Sequence, residues 1–65
     1  MYAKYAKIRD EKGFSDLEVA KATNIAPSTI YDWKQRSEKD EQAGISLAKM
    51  ALIAKLFDVP LESFV

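Results

Sequence analysis

The sequence predicts an all-α fold, a small bundle of four to five short helices, on three observations. Apolar residues recur at helical spacing in successive stretches, and no strand-like alternation interrupts them. Helix-start signals precede three of these stretches: Ser15 with Glu18, Ala26-Pro27, and Ser46. Residues suited to ending a helix follow three of them, at Gly13, Asn24 and Asp58.

Residues 2–12 read as the first helix, with Tyr5, Ile8 and Ala6 inward and Lys4, Lys7, Arg9, Asp10 and Glu11 mostly outward. Gly13 suits the left-handed position that closes it, and Phe14 can fold back on the helix end. Ser15 and Glu18 form a capping box, so the second helix starts at Asp16 and turns Leu17 or Val19 inward together with Ala20. Ala20 is small enough to let another helix cross closely. That helix ends near Ala22, and Thr23-Asn24-Ile25 forms a corner in which Asn24 tolerates positive φ. Pro27 is favoured at the first position of a third helix, residues 27–36, although Ala26 has no side chain with which to cap it. Ile30 and Trp33 lie three apart on its inner face, leaving Ser28, Tyr31, Asp32 and Gln35 outward. Two short helices joined by so tight a corner make a helix-turn-helix, whose second helix is the one presented to the major groove of DNA.

The polar run over residues 37–44 reads as a loop, with an extension of the third helix as the alternative. Ser46 caps a fourth helix reaching Phe57, with Leu47, Met50, Ile53, Ala54 and Phe57 inward. Val59-Pro60 leads into a last short segment whose Leu61 and Phe64 turn inward, while Val65 is either core or a dimer contact.

Sixty-five residues leave room for one domain, residues 1–65, with a thin core. The chain has no Cys and no His, which removes disulfides, zinc fingers and the commonest general base. Adjacent carboxylates such as Asp10-Glu11 point apart on a helix, so no catalytic residues, metal ligands or cofactor site are expected and the chain is read as a non-enzyme. No apolar run approaches the roughly 20 residues of a membrane span, and a cytoplasmic location is expected. Ten basic and ten acidic residues cancel, but residues 1–36 hold seven basic and five acidic residues against three and five in residues 37–65. The excess of positive charge thus lies in the half that carries the helix-turn-helix.

From residue 5 to residue 64 the chain resembles the phage-repressor and Cro-like helix-turn-helix domains, the lambda-repressor-like or XRE family. The resemblance is carried by Ile8-Arg9, Gly13-Phe14-Ser15, Ala20, Asn24-Ile25, Ser28-Thr29-Ile30, Trp33 and Leu56-Phe57-Asp58-Val59. It implies a phage or mobile-element transcriptional regulator of the repressor type, binding a short double-stranded DNA operator as a homodimer, without a small-molecule ligand. It places base-edge contacts on Pro27, Ser28, Tyr31 and Asp32, and backbone contacts on Asp16, Thr29, Lys34, Gln35, Arg36 and Lys39. Of the base readers, Pro27 offers apolar contact, for instance to a thymine methyl, and Asp32 could accept from cytosine N4.

Four features depart from that family. Asp16 replaces a Gln, bringing a carboxylate to a phosphate-contact position. Lys34 replaces an acidic residue, leaving Arg9 without its usual ion pair. Asn24 and Asp58 replace turn glycines, and residues 37–44 are longer and carry Glu38, Asp40 and Glu41. With the zero net charge, Asp16, Asp32 and the acidic loop suggest a second reading: a protein-interaction module that keeps the fold and has lost DNA binding.

Overall fold

Tyr5 and Trp33 are both withdrawn completely from solvent, their ring centroids 5.0 Å apart, and the helices are arranged around this pair. In the computed structural model, which describes residues 1–65, the order is α1 (Tyr2–Glu11), α2 (Asp16–Thr23), α3 (Pro27–Ser37), α4 (Leu47–Phe57) and a closing 3-10 helix (Leu61–Phe64). There is no strand. None of the helices is long and apolar enough to cross a membrane.

Three helices end in the same way on three different residues. Gly13, Asn24 and Asp58 adopt φ of 77°, 59° and 57°. Beyond each, an amide reaches back to a helix carbonyl: Phe14 to Arg9 at 3.0 Å, Ile25 to Ala20 at 3.1 Å, and Val59 to Ala54 at 3.0 Å. This is the longer bond of a Schellman motif, which turns the chain and lays the following apolar residue on the core. Ile25 is accordingly buried, and Phe14 and Val59 pack against the core from its edge.

The helix starts also follow the local chemistry. Glu18 N donates to Ser15 Oγ at 3.1 Å and Ser15 N donates to Glu18 Oε1 at 2.9 Å, completing the capping box. Lys49 N donates to Ser46 Oγ at 3.3 Å at the start of α4, whereas α3 opens on Pro27 with no side-chain cap.

The core takes Val19 and Ala20 from α2, Ile30 and Trp33 from α3, Met50, Ile53, Ala54 and Phe57 from α4, and Phe64 from the closing turn. Each large apolar side chain so removed from water contributes about 2 kcal/mol before conformational entropy is set against it. α2 packs on α3 and α4, and α1 packs on α3 and the closing 3-10 helix. Ala20, expected to be small for a close helix crossing, is buried, 1% exposed.

Leu47 and Arg9 sit elsewhere than the periodicity suggested, and the structure also settles Leu17 and Tyr2. Leu17 is 52% exposed because Val19 takes the inner position of α2. Leu47 is 68% exposed, since the buried stripe of α4 begins one turn later at Met50. Tyr2 is core, one turn before Tyr5 on the same face of α1. Arg9 is not outward: its side chain keeps 18% of its exposure and points back toward α2.

α3 ends at Ser37, so residues 38–46 form a connection rather than a helix extension. It is fastened to α3 from within, as Trp33 Nε1 donates to the Ala43 carbonyl at 2.9 Å and Arg36 Nη1 to the Gly44 carbonyl at 3.0 Å.

Candidate nucleic-acid interface

The outward face of α3 is built by subtraction. Ile30 and Trp33 turn inward, and Pro27, Ser28, Tyr31, Asp32, Lys34, Gln35 and Arg36 are left exposed, with Thr29 half-buried. Lys39 is exposed just past the helix end. Ser28, Tyr31, Asp32 and Gln35 follow one another at helical spacing and share one ridge. Tyr31, 64% exposed, dominates it.

Two of the charged side chains on this face are tied to each other. Arg36 Nε donates to Asp32 Oδ2 at 2.7 Å one turn away, and the same guanidinium holds the Gly44 carbonyl. The Asp32 charge is therefore compensated within α3. Lys34 and Lys39 are left as exposed cations with no carboxylate in ion-pair range.

Asp16 stands at the first position of α2 and accepts three side-chain hydrogen bonds. Tyr2 Oη donates to its Oδ2 at 2.7 Å, while Tyr5 Oη at 2.7 Å and Arg9 Nη1 at 2.8 Å both donate to Oδ1. Arg9 thus regains an ion pair, with Asp16 instead of a residue of α3, and the expectation that it stands without one is corrected. Burial would raise the Asp16 pKa, but the bonds from Tyr5, Arg9 and Tyr2 prevail and hold it below the ordinary carboxylate range. Burial, together with the bond to Asp16 and its charge, pushes the Tyr2 phenol up to about 12, and Tyr5 is raised for the same reasons. Burial acts to lower the Arg9 pKa, yet its bonds to Asp16 and Asp10 outweigh it and keep the guanidinium charged. A signal for this cluster exists in the sequence, because Tyr2, Tyr5 and Arg9 fall on one face of α1.

Beside the cluster, Asp16, Leu17, Pro27, Tyr31 and Lys34 border a shallow depression between the start of α2 and the first half of α3. Of the residues named from sequence, the structure gathers Asp16, Pro27, Tyr31 and Lys34 here. Ser28, Asp32, Gln35 and Arg36 lie along the α3 ridge, and Lys39 lies beyond it.

A capped α2, a left-handed corner at Asn24 and an exposed α3 define a helix-turn-helix domain. A family model described as "Putative ATPase subunit of terminase (gpP-like)" matches residues 11–57, from the end of α1 to the end of α4, and the chain belongs to that family. No curated protein matches the chain, and no solved structure does.

This membership corrects the resemblance to the phage-repressor and Cro-like family, and with it the expectation of a repressor regulating transcription at an operator. Nor does it support the reading as an interaction module that has lost DNA. The cause is physical. The capping box, the small Ala20, the left-handed Asn24, Pro27 and the Ile30-Trp33 inner face are what any tight helix-turn-helix needs, whatever process it serves.

Proposed function

We propose that this chain is the DNA-recognition module of a terminase, holding double-stranded DNA for a packaging machine. The observation that carries this reading is the terminase-family match laid over a helix-turn-helix whose second helix is exposed along its length. In this reading α3 enters the major groove. Pro27, Ser28 and Tyr31 face base edges, and Thr29, Lys34, Gln35 and Lys39 face the phosphate backbone. Asp32 and Arg36 meet the DNA as a mutually neutralised pair, and Asp16 acts by positioning α2 through Tyr2, Tyr5 and Arg9. One such helix reads only a few base pairs, so at least two copies of the chain, a homodimer in the simplest case, bind each site.

The same 65 residues carry out no chemistry of their own in this proposal. The family description names an ATPase subunit, yet the two glycines, Gly13 and Gly44, do not form a Gly-rich phosphate loop followed by Lys and Ser or Thr. ATP hydrolysis is therefore assigned to other parts of the terminase. The test is fluorescence anisotropy of labelled duplex DNA across a salt series, with ATP turnover followed in parallel. The expected result is salt-sensitive binding whose log–log slope falls by about 0.9 in Lys34→Ala, with no ATP turnover. Absence of binding to every duplex at low salt contradicts the proposal.

A further inference from the structure

The reading face has an unusual chemical balance. Guanine is most often recognised by a guanidinium fork or an ammonium reaching O6 and N7 in the major groove. The only cations of α3 are Lys34 and Arg36. Arg36 is held by Asp32 and the Gly44 carbonyl, and Lys34 stands at the margin of the helix face. The first half of α3, which leads into the groove in a helix-turn-helix, instead presents Pro27 and Tyr31 beside the exposed Leu17 of α2. These three apolar side chains border one depression, whose acidic member Asp16 already has both carboxylate oxygens occupied by Tyr2, Tyr5 and Arg9. What remains is a small apolar hollow with a cation at its rim. In the major groove the apolar group that base pairs offer is the 5-methyl of thymine, and the adjacent phosphate suits the ammonium.

We infer that Leu17, Pro27 and Tyr31 form a thymine-methyl reader, so that the DNA this chain selects is defined by A·T pairs at the positions facing that hollow. The inference rests on the reading of α3 as the DNA-contacting helix. It also explains why a Leu is left half in water at the start of α2 when Val19 fills the core position.

The test uses the 65-residue chain and duplexes enriched by it from a random pool. The enriched duplexes are resynthesised with deoxyuridine in place of thymidine, which removes the methyl and preserves base pairing. The expected result is about four-fold weaker binding for each contacted methyl removed, the worth of one buried methyl-sized group. Leu17→Ala and Tyr31→Ala, both at exposed positions, are expected to keep the thermal unfolding midpoint and to bind the thymidine and deoxyuridine duplexes alike. Equal binding of both duplexes by the unsubstituted chain, or an enriched pool without recurrent A·T positions, overturns the inference and leaves DNA recognition standing. Failure to enrich or bind any duplex overturns both.

Discussion

Arg9 and Asp16 are joined at 2.8 Å, and this ion pair, reinforced by the hydroxyls of Tyr2 and Tyr5, ties α1 to the start of α2. Removing its carboxylate strands three donors at once. Asp16→Ala is therefore expected to lower stability by about 2–3 kcal/mol in urea unfolding, with Asp16→Asn losing less because it keeps one acceptor. The partial exposure of the pair keeps the cost below that of a fully buried one. Because the Asp16 pKa is depressed in the folded chain, the unfolded chain takes up its proton first as pH falls. The contribution is complete above the ordinary carboxylate range and is lost as pH drops through the depressed value. The raised Tyr2 phenol acts at the other end: its contribution is complete below pH 10.0 and is lost as pH climbs toward about 12. Urea midpoints measured across pH should show the acid limb flattened in Asp16→Asn.

Trp33 joins the core to the connection after α3 through its Nε1 bond to the Ala43 carbonyl. Trp33→Phe keeps an aromatic ring against Tyr2 and Tyr5 but leaves that carbonyl without its donor and part of the ring volume empty. The expected cost is about 2–3 kcal/mol. Amide hydrogen exchange should speed up over residues 38–46 by more than in α2.

Asn24 and Asp58 hold left-handed backbone that glycine adopts without steric cost. Asp58→Gly is expected to raise stability by about 0.5 kcal/mol, relief of the Cβ clash slightly exceeding the entropy added to the unfolded chain. Asp58→Ala should lower it by about 1 kcal/mol. Thermal unfolding of the two variants side by side reads the difference, which should have opposite signs.

Ala20 and Ser28 separate folding from recognition. Ala20 is buried on α2, which packs against α3 and α4, so Ala20→Leu should cost about 1–3 kcal/mol by overpacking. Ser28 is exposed and its side chain makes no hydrogen bond within the chain, so Ser28→Ala should stay within about 0.5 kcal/mol in chemical denaturation while weakening DNA binding.

Most of the fold was legible because its signals are local. Ser15 with Glu18, Pro27, Ser46 and the left-handed Gly13, Asn24 and Asp58 act within a few residues of themselves, and Ile30, Trp33, Met50, Ile53 and Phe57 follow plain helical spacing. What escaped is tertiary. Whether Leu17 or Val19 faces inward depends on how α2 rolls against α3 and α4, and the exposure of Leu47 depends on where the stripe of α4 meets its neighbours. The Asp16 cluster escaped because its partners lie seven to fourteen residues away on another helix. The outward ridge of α3 follows once Ile30 and Trp33 lie inside, whereas the Asp32–Arg36 pairing depends on side-chain conformations that spacing alone leaves open. The family could not be reached from positions that helix-turn-helix domains share in general, and the match over residues 11–57 supplied it.

In the proposed function α3 meets double-stranded DNA. The most direct test of that contact is a titration of the isotopically labelled chain with duplex DNA enriched by it, at low salt, followed by backbone amide shifts. Shifts are expected to concentrate at Ser28–Arg36 and at Leu17 and Lys39, with α4 little changed. Shifts absent from α3 with every duplex, or confined to α4, would contradict it.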